Sequence, residues 1–144
     1  MHVFRSMVIE AEIDRVWQAV RAFDGVAAWN PGVESASLEN GDATATGTIR
    51  NLKIPDGTIF RETLLAHSDV DRFYTYDILD SPLPVTDYIS THRFIPITHG
   101  SQTLGIWESR FECAPDVANE LDRIIGDTIY IGGMTGLNRY LKES

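Results

Sequence analysis

Apolar positions recur along this chain at two different spacings, and the switches between them mark out its elements. Val3 to Glu10 alternates weakly and ends at an acidic step, which predicts a first strand. From Ile13 the spacing becomes helical: Ile13, Val16, Trp17 and Val20 recur at three and four and form one amphipathic face. Phe23-Asp24-Gly25 breaks that pattern, and Val26 to Trp29 leaves room only for a short second helix before Asn30-Pro31-Gly32. A meander of antiparallel strands follows, over Val33 to Glu39, Thr44 to Ile54, Thr58 to His67, Arg72 to Leu79, Thr86 to Ile95 and Gln102 to Cys113. Asn40-Gly41-Asp42 predicts a hairpin between the first two of these, because such a turn needs positive φ.

The helical period returns from Pro115 to Lys142. Proline suits a first helical turn, and Asp116 suits its positive end. With 3.6 residues per turn, Ala118, Leu121, Ile125, Ile129, Gly132 and Gly136 share one face, opposite Glu120, Arg123, Asp127 and Asn138. Each glycine costs a helix about 1 kcal/mol relative to alanine, so Gly126, Gly132, Gly133 and Gly136 need a reason. Two remain open: close backbone contact with a sheet, or room for a guest beneath a helix that lids a cavity. A strand, two short helices, a run of strands and one long helix predict an α+β fold, the helix packed on one face of a curved sheet.

Composition narrows the function. The 144 residues are 43% apolar and 23% charged, which fits one ordinary globular domain. A net charge of −9 with no basic stripe argues against nucleic acid and against an anionic membrane surface. Cys113 is alone, so no internal disulfide is expected. The start lacks the layout of a signal peptide, and no run suits a bilayer, since Ile124 to Leu137 contains Asp127 and four glycines. The expectation is a cytoplasmic monomer or small oligomer such as a homodimer.

Strand alternation sorts the candidate site residues. Tyr74, Tyr76 and Ile78 form the more apolar face of one strand, and Tyr88, Ser90, His92 and Phe94 that of the next; both sets should face the helix. For Thr58 to His67 and Gln102 to Cys113 alternation does not choose a face. The layout of Val16-Trp17, Phe23-Asp24-Gly25, Trp29-Asn30-Pro31, Gly47, Arg50, Glu62, Tyr74-Thr75-Tyr76, Leu83-Pro84-Val85, Tyr88 and Trp107-Glu108-Ser109 resembles the SRPBCC superfamily. It is most similar to the polyketide cyclase/dehydrase and lipid-transport branch and to the plant abscisic-acid receptors. The resemblance implies a helix-grip fold: a seven-stranded antiparallel sheet wrapped around the C-terminal helix, with a cavity between them. It places Arg50, Glu62, Tyr88, Ser90 and Glu108 on the cavity side, and parity adds His92 and Arg110. Trp107, opposite in parity to Glu108, is then expected on the outer face or at an interface. The segments Lys53 to Gly57 and Ser81 to Val85 resemble the receptors' gate and latch without reproducing their residues. The receptors' anchoring lysine aligns near the uncharged Asn30, which argues against a hormone-receptor role.

The expected ligand set is therefore Arg50, Glu62, Tyr74, Tyr76, Tyr88, Ser90, His92, Glu108, Arg110, Ile129, Gly132 and Gly136. An apolar cavity with a few convergent polar groups suits a small hydrophobic molecule of lipid, polyketide or isoprenoid type. The alternative is a cyclase or dehydratase in which His92, with Glu108 or Glu62, moves protons. His2, His67 and His99 lack ligand spacing, so no metal is expected, and no cofactor motif is found.

Overall fold

The computed structural model describes residues 1–144. Its elements are β1 (His2–Ile9), α1 (Ile13–Val20), α2 (Val26–Trp29), β2 (Ser35–Leu38), β3 (Ile49–Lys53), β4 (Ile59–Ser68), β5 (Phe73–Asp80), β6 (Thr86–Ile97) and β7 (Gln102–Glu112). A C-terminal helix then runs from Pro115 to Glu143. The seven strands form one antiparallel sheet in the order β1-β7-β6-β5-β4-β3-β2. This is the helix-grip arrangement that the resemblance implies.

Local chemistry sets the pieces in place. Glu12 caps α1 by accepting from the Asp14 amide at 3.2 Å, and Val16, Trp17 and Val20 turn inward as their spacing predicts. Asp69, in the turn after β4, accepts from Trp17 Nε1 at 2.8 Å and from Arg21 at 2.9 Å, which ties α1 to the sheet. Arg21 and Trp17 together hold the Asp69 carboxyl well below its ordinary pKa.

Two expectations are corrected. The short hairpin at Asn40-Gly41-Asp42 is instead a loop over residues 40–48, and the strand expected from Thr44 starts only at Ile49. Asn40 Oδ1 takes the Ile49 amide at 2.8 Å, and Gly41 has φ of +67° where a β-carbon would stand 2.2 Å from Thr48 Oγ1. The glycine is thus a real turn signal, but side chains rather than a strand ladder close the loop.

The second correction concerns the C-terminal helix. It opens with a 3₁₀ turn at Pro115–Val117, winds as a π-helix over Asp122–Ile131, and becomes α again at Gly132–Glu143. A π-helix bonds i to i+5, so its inward positions step by more than four residues. Ile125 and Tyr130, five apart, are both fully buried, whereas Ile129 is only half-buried. After the shift the buried set is Gly133, Met134, Gly136, Leu137 and Leu141; Gly136 is inward as expected and Gly132 is not. A β-carbon at Gly136 would lie 2.3 Å from Pro31 Cδ and 2.9 Å from the Trp29 carbonyl, and one at Gly133 2.9 Å from the Trp107 ring. These glycines serve close approach, chiefly to the α2 end and Trp107. At Gly132 the nearest atom to such a carbon is Asp127 O at 3.8 Å. Neither Gly132 nor Gly136 lines the hollow between the helix and the sheet; Gly136 borders only a shallower recess beside α2.

Candidate functional site

A hollow of about 310 Å³ does separate part of the helix from the sheet, but beneath Thr128 and Ile129, in the π-helical half. Leu52, Phe60 and Ile78 form its sheet wall, while Val26, Val33 and Leu83 come from α2 and the loops. Arg50, Glu62, Tyr76, Tyr88 and Trp107 supply most of its polar atoms, with Asn30 and Thr128.

Arg50 and Glu62 face each other across β3 and β4, since antiparallel partners directly opposite point to the same face. Glu62 Oε1 accepts from Arg50 Nε at 2.8 Å and lies 2.7 Å from Nη2, while Nη1 donates to the Phe23 carbonyl at 2.8 Å. The guanidinium also lies 4.0 Å from the Phe23 ring centre and 5.0 Å from that of Tyr76. Both residues are almost wholly buried. Burial works to lower the Arg50 pKa, but the Glu62 carboxylate, together with Tyr74 and Tyr76, more than reverses this. Burial pushes the Glu62 carboxyl up, against the pull of Arg50.

Behind the hollow lies a line of hydroxyls. Ser90 Oγ donates to the Glu108 carbonyl at 3.0 Å, so it must accept from the Tyr130 hydroxyl, also at 3.0 Å; Tyr130 in turn accepts from Tyr88. The direction of the line is therefore set by one backbone carbonyl. Burial raises the Tyr130 phenol to about 12 and those of Tyr76 and Tyr88 well above the ordinary value. All three stay protonated at neutral pH and act as hydrogen-bonding groups.

The β6–β7 register decides the last strand. His92 lies opposite Trp107 and Ser90 opposite Ser109, so Trp107 and Ser109 share the inner face. The expected placement of Glu108 and Arg110 on the cavity side is corrected: they pair with Thr91 and Ile89 and point outward, and Glu108 binds His2 there at 2.8 Å. Trp107, expected outside, is buried. It stacks on His92 at 4.0 Å and on Tyr130 at 4.7 Å, and its Nε1 donates to the Tyr76 hydroxyl at 3.0 Å.

His92 is inward as expected, yet it does not line the hollow. Trp107, Phe94, Tyr74 and Trp29 enclose its ring, and neither nitrogen has a hydrogen-bond partner. Burial, with help from the Arg50 charge, pushes its pKa well below the ordinary value. A neutral folded histidine against an unfolded one that protonates near about pH 6.5 has a definite consequence. Below that pH the unfolded chain binds the extra proton, so stability falls as pH falls, by up to about 1.4 kcal/mol per pH unit. Urea unfolding of the wild type and of His92→Phe between neutral and mildly acidic pH should show a steeper loss in the wild type, the difference being the His92 contribution.

Of the expected set, Arg50, Glu62, Tyr76, Tyr88 and Ile129 line the hollow, and Tyr74, Ser90 and His92 sit behind its wall. Pairing His92 with Glu108 is excluded, because they occupy opposite faces of the sheet. Sequence reasoning missed Trp107, Tyr130, Thr128 and Asn30. Tyr130 was traceable, standing five residues after Ile125, but only to a reader counting at the π-helical step.

A family model described as "Polyketide cyclase / dehydrase and lipid transport" matches residues 1–141. No curated protein matches the chain. Among solved structures, the protein XoxI from Bacillus cereus is 30% identical with a TM-score of 0.88, over 99% of this chain and 96% of that one. An uncharacterised protein from Bacillus thuringiensis is also 30% identical, with a TM-score of 0.89 over 99% of both chains. Norcoclaurine synthase from Thalictrum flavum, in complex with dopamine and hydroxybenzaldehyde, is 16% identical with a TM-score of 0.78, over 99% of this chain and 87% of that one. That last likeness is one of fold alone.

Proposed function

The chain belongs to the polyketide cyclase/dehydrase and lipid-transport family of the SRPBCC superfamily, and from that premise we propose that it binds one small, largely hydrophobic molecule between the sheet and the C-terminal helix. The observation that carries the reading is the hollow of about 310 Å³, whose walls are mostly aliphatic and aromatic and whose polar groups converge at Arg50, Glu62 and Tyr76. A hydrophobic guest gains from leaving water, by about 25 cal/mol per Å² of apolar surface buried, while a few polar groups orient it. The acid–base alternative built on His92 loses its support, because that ring is sealed among aromatics and Glu108 lies on the outer face.

Ile129 stands at the helix side of the hollow, so Ile129→Trp should fill it from a position that is only half-buried. Purified protein stripped of bound lipid is titrated with a panel of lipids, polyketides and isoprenoids, and thermal stability is read. A ligand present at a hundred times its Kd should stabilise the wild type by about 2.7 kcal/mol and leave Ile129→Trp unshifted. No shift with any compound, or equal shifts in both proteins, would refute the reading.

A further inference from the structure

We infer that the hollow selects a neutral, largely apolar alcohol or phenol over a carboxylic acid of the same skeleton, the ligand's hydroxyl donating to Glu62 Oε2 and accepting from Tyr76. This rests on the reading of the hollow as a ligand site and adds the chemical class of its guest.

Arg50 is the only cation lining the hollow, and three of its five N–H donors are already directed at protein oxygens, two at Glu62 Oε1 and one at the Phe23 carbonyl. The Phe23 and Tyr76 rings lie over the guanidinium. A carboxylate guest would therefore meet a cation whose charge Glu62 already balances, and would face the Glu62 carboxylate in an apolar enclosure, where like charges repel strongly. The net charge of −9 adds to that repulsion from outside.

Asn30 and Thr128 add polar groups that can serve an acid and an alcohol alike, but what the hollow leaves open beside Arg50 is different. Both Arg50 contacts fall on Glu62 Oε1, which leaves Oε2 without a hydrogen bond to protein, and Glu62 lines the hollow. It is an acceptor that calls for a donor. The Tyr76 hydroxyl accepts from Trp107 Nε1, and its own proton has no protein acceptor. The hydroxyls of Tyr88, Tyr130 and Ser90 pass their protons along to the Glu108 carbonyl and offer no donor to a guest. Tyr76 and Glu62 are near neighbours on the inner face, because Tyr76 lies opposite Leu64, two residues along β4 from Glu62. One hydroxyl can accept from the first and donate to the second. A carboxylate can only accept, and an ether lacks the proton that Oε2 needs.

The test uses two skeletons, one flat and one flexible, each in three forms: β-naphthol, β-naphthoate and β-methoxynaphthalene, and decanol, decanoate and decyl methyl ether. Affinities for the wild-type protein are measured by calorimetry near neutral pH. On at least one skeleton the alcohol should bind about tenfold or more tighter than both the ether and the carboxylate, as expected for a hydrogen bond to a charged acceptor. Tyr76→Phe should weaken the alcohol and the ether together. Glu62→Gln, if it folds, should narrow the gap between alcohol and carboxylate; the wild-type series decides without it. A carboxylate that binds as tightly as its alcohol would overturn the class of ligand while leaving the hollow as a binding site. An ether equal to its alcohol would overturn the role of Glu62. If none of the six binds, the binding reading fails and this inference falls with it.

Discussion

Glu62→Ala should destabilise the protein by about 3–5 kcal/mol, read as a drop in the urea midpoint at unchanged slope. The size follows from what is left behind. Arg50 is buried, held by Glu62 Oε1 at 2.7 and 2.8 Å, and otherwise satisfied by one carbonyl and the faces of Phe23 and Tyr76. Removing the carboxylate strands a guanidinium in an apolar wall, and arginine does not shed its proton to escape. Against a typical stability of about 5–15 kcal/mol, that is a large share. The double change Arg50→Met with Glu62→Leu should recover most of the loss, because two apolar side chains need no partner and a buried ion pair is often no more stable than its apolar replacement. Equal destabilisation by the single and the double change would show that the pair matters through shape instead of charge.

Trp107→Ala should cost about 3–5 kcal/mol as well, for a different reason. The indole packs flat between His92 and Tyr130, at 4.0 and 4.7 Å, and fits over the bare backbone of Gly133. Its loss opens a void at the junction of β6, β7 and the C-terminal helix. Trp107→Phe should recover much of that while still removing the Nε1 donor to Tyr76 and Ser90. Chemical denaturation of the two variants separates packing from hydrogen bonding. If the phenylalanine variant is as unstable as the alanine one, the hydrogen bonds dominate and the packing account is wrong.

The places where residue patterns predicted the structure, and where they failed, have physical causes. The α1 face of Val16, Trp17 and Val20 and the inner faces of β5 and β6 were legible because alternation or helical spacing separates apolar from polar cleanly there. Arg50 and Glu62 were placed by family resemblance, and their pairing across β3 and β4 puts both on the inner face. The last strand was not legible in this way. Leu104, Ile106, Glu108 and Arg110 look no less suited to an interior than Gly105, Trp107, Ser109 and Phe111, and only the register against β6 decides between them. That register depends on contacts between distant parts of the chain. The helix failed for a related reason: a wheel drawn at 3.6 residues per turn put Ile129, Gly132 and Gly136 in line, and the π-helical stretch rotates Tyr130 inward instead. The hollow was expected under the glycines and lies under Thr128 and Ile129, ahead of them.

The most direct test of the binding account is a methyl-resonance titration of the 16.1 kDa protein with decanol. The account predicts saturable shifts at Leu52, Ile54, Ile78, Leu83 and Ile129, which line the hollow, with Ile59, Leu65, Ile89 and Ile95 on the exposed surface unmoved. Shifts confined to the exposed group, or absent from both, would contradict it.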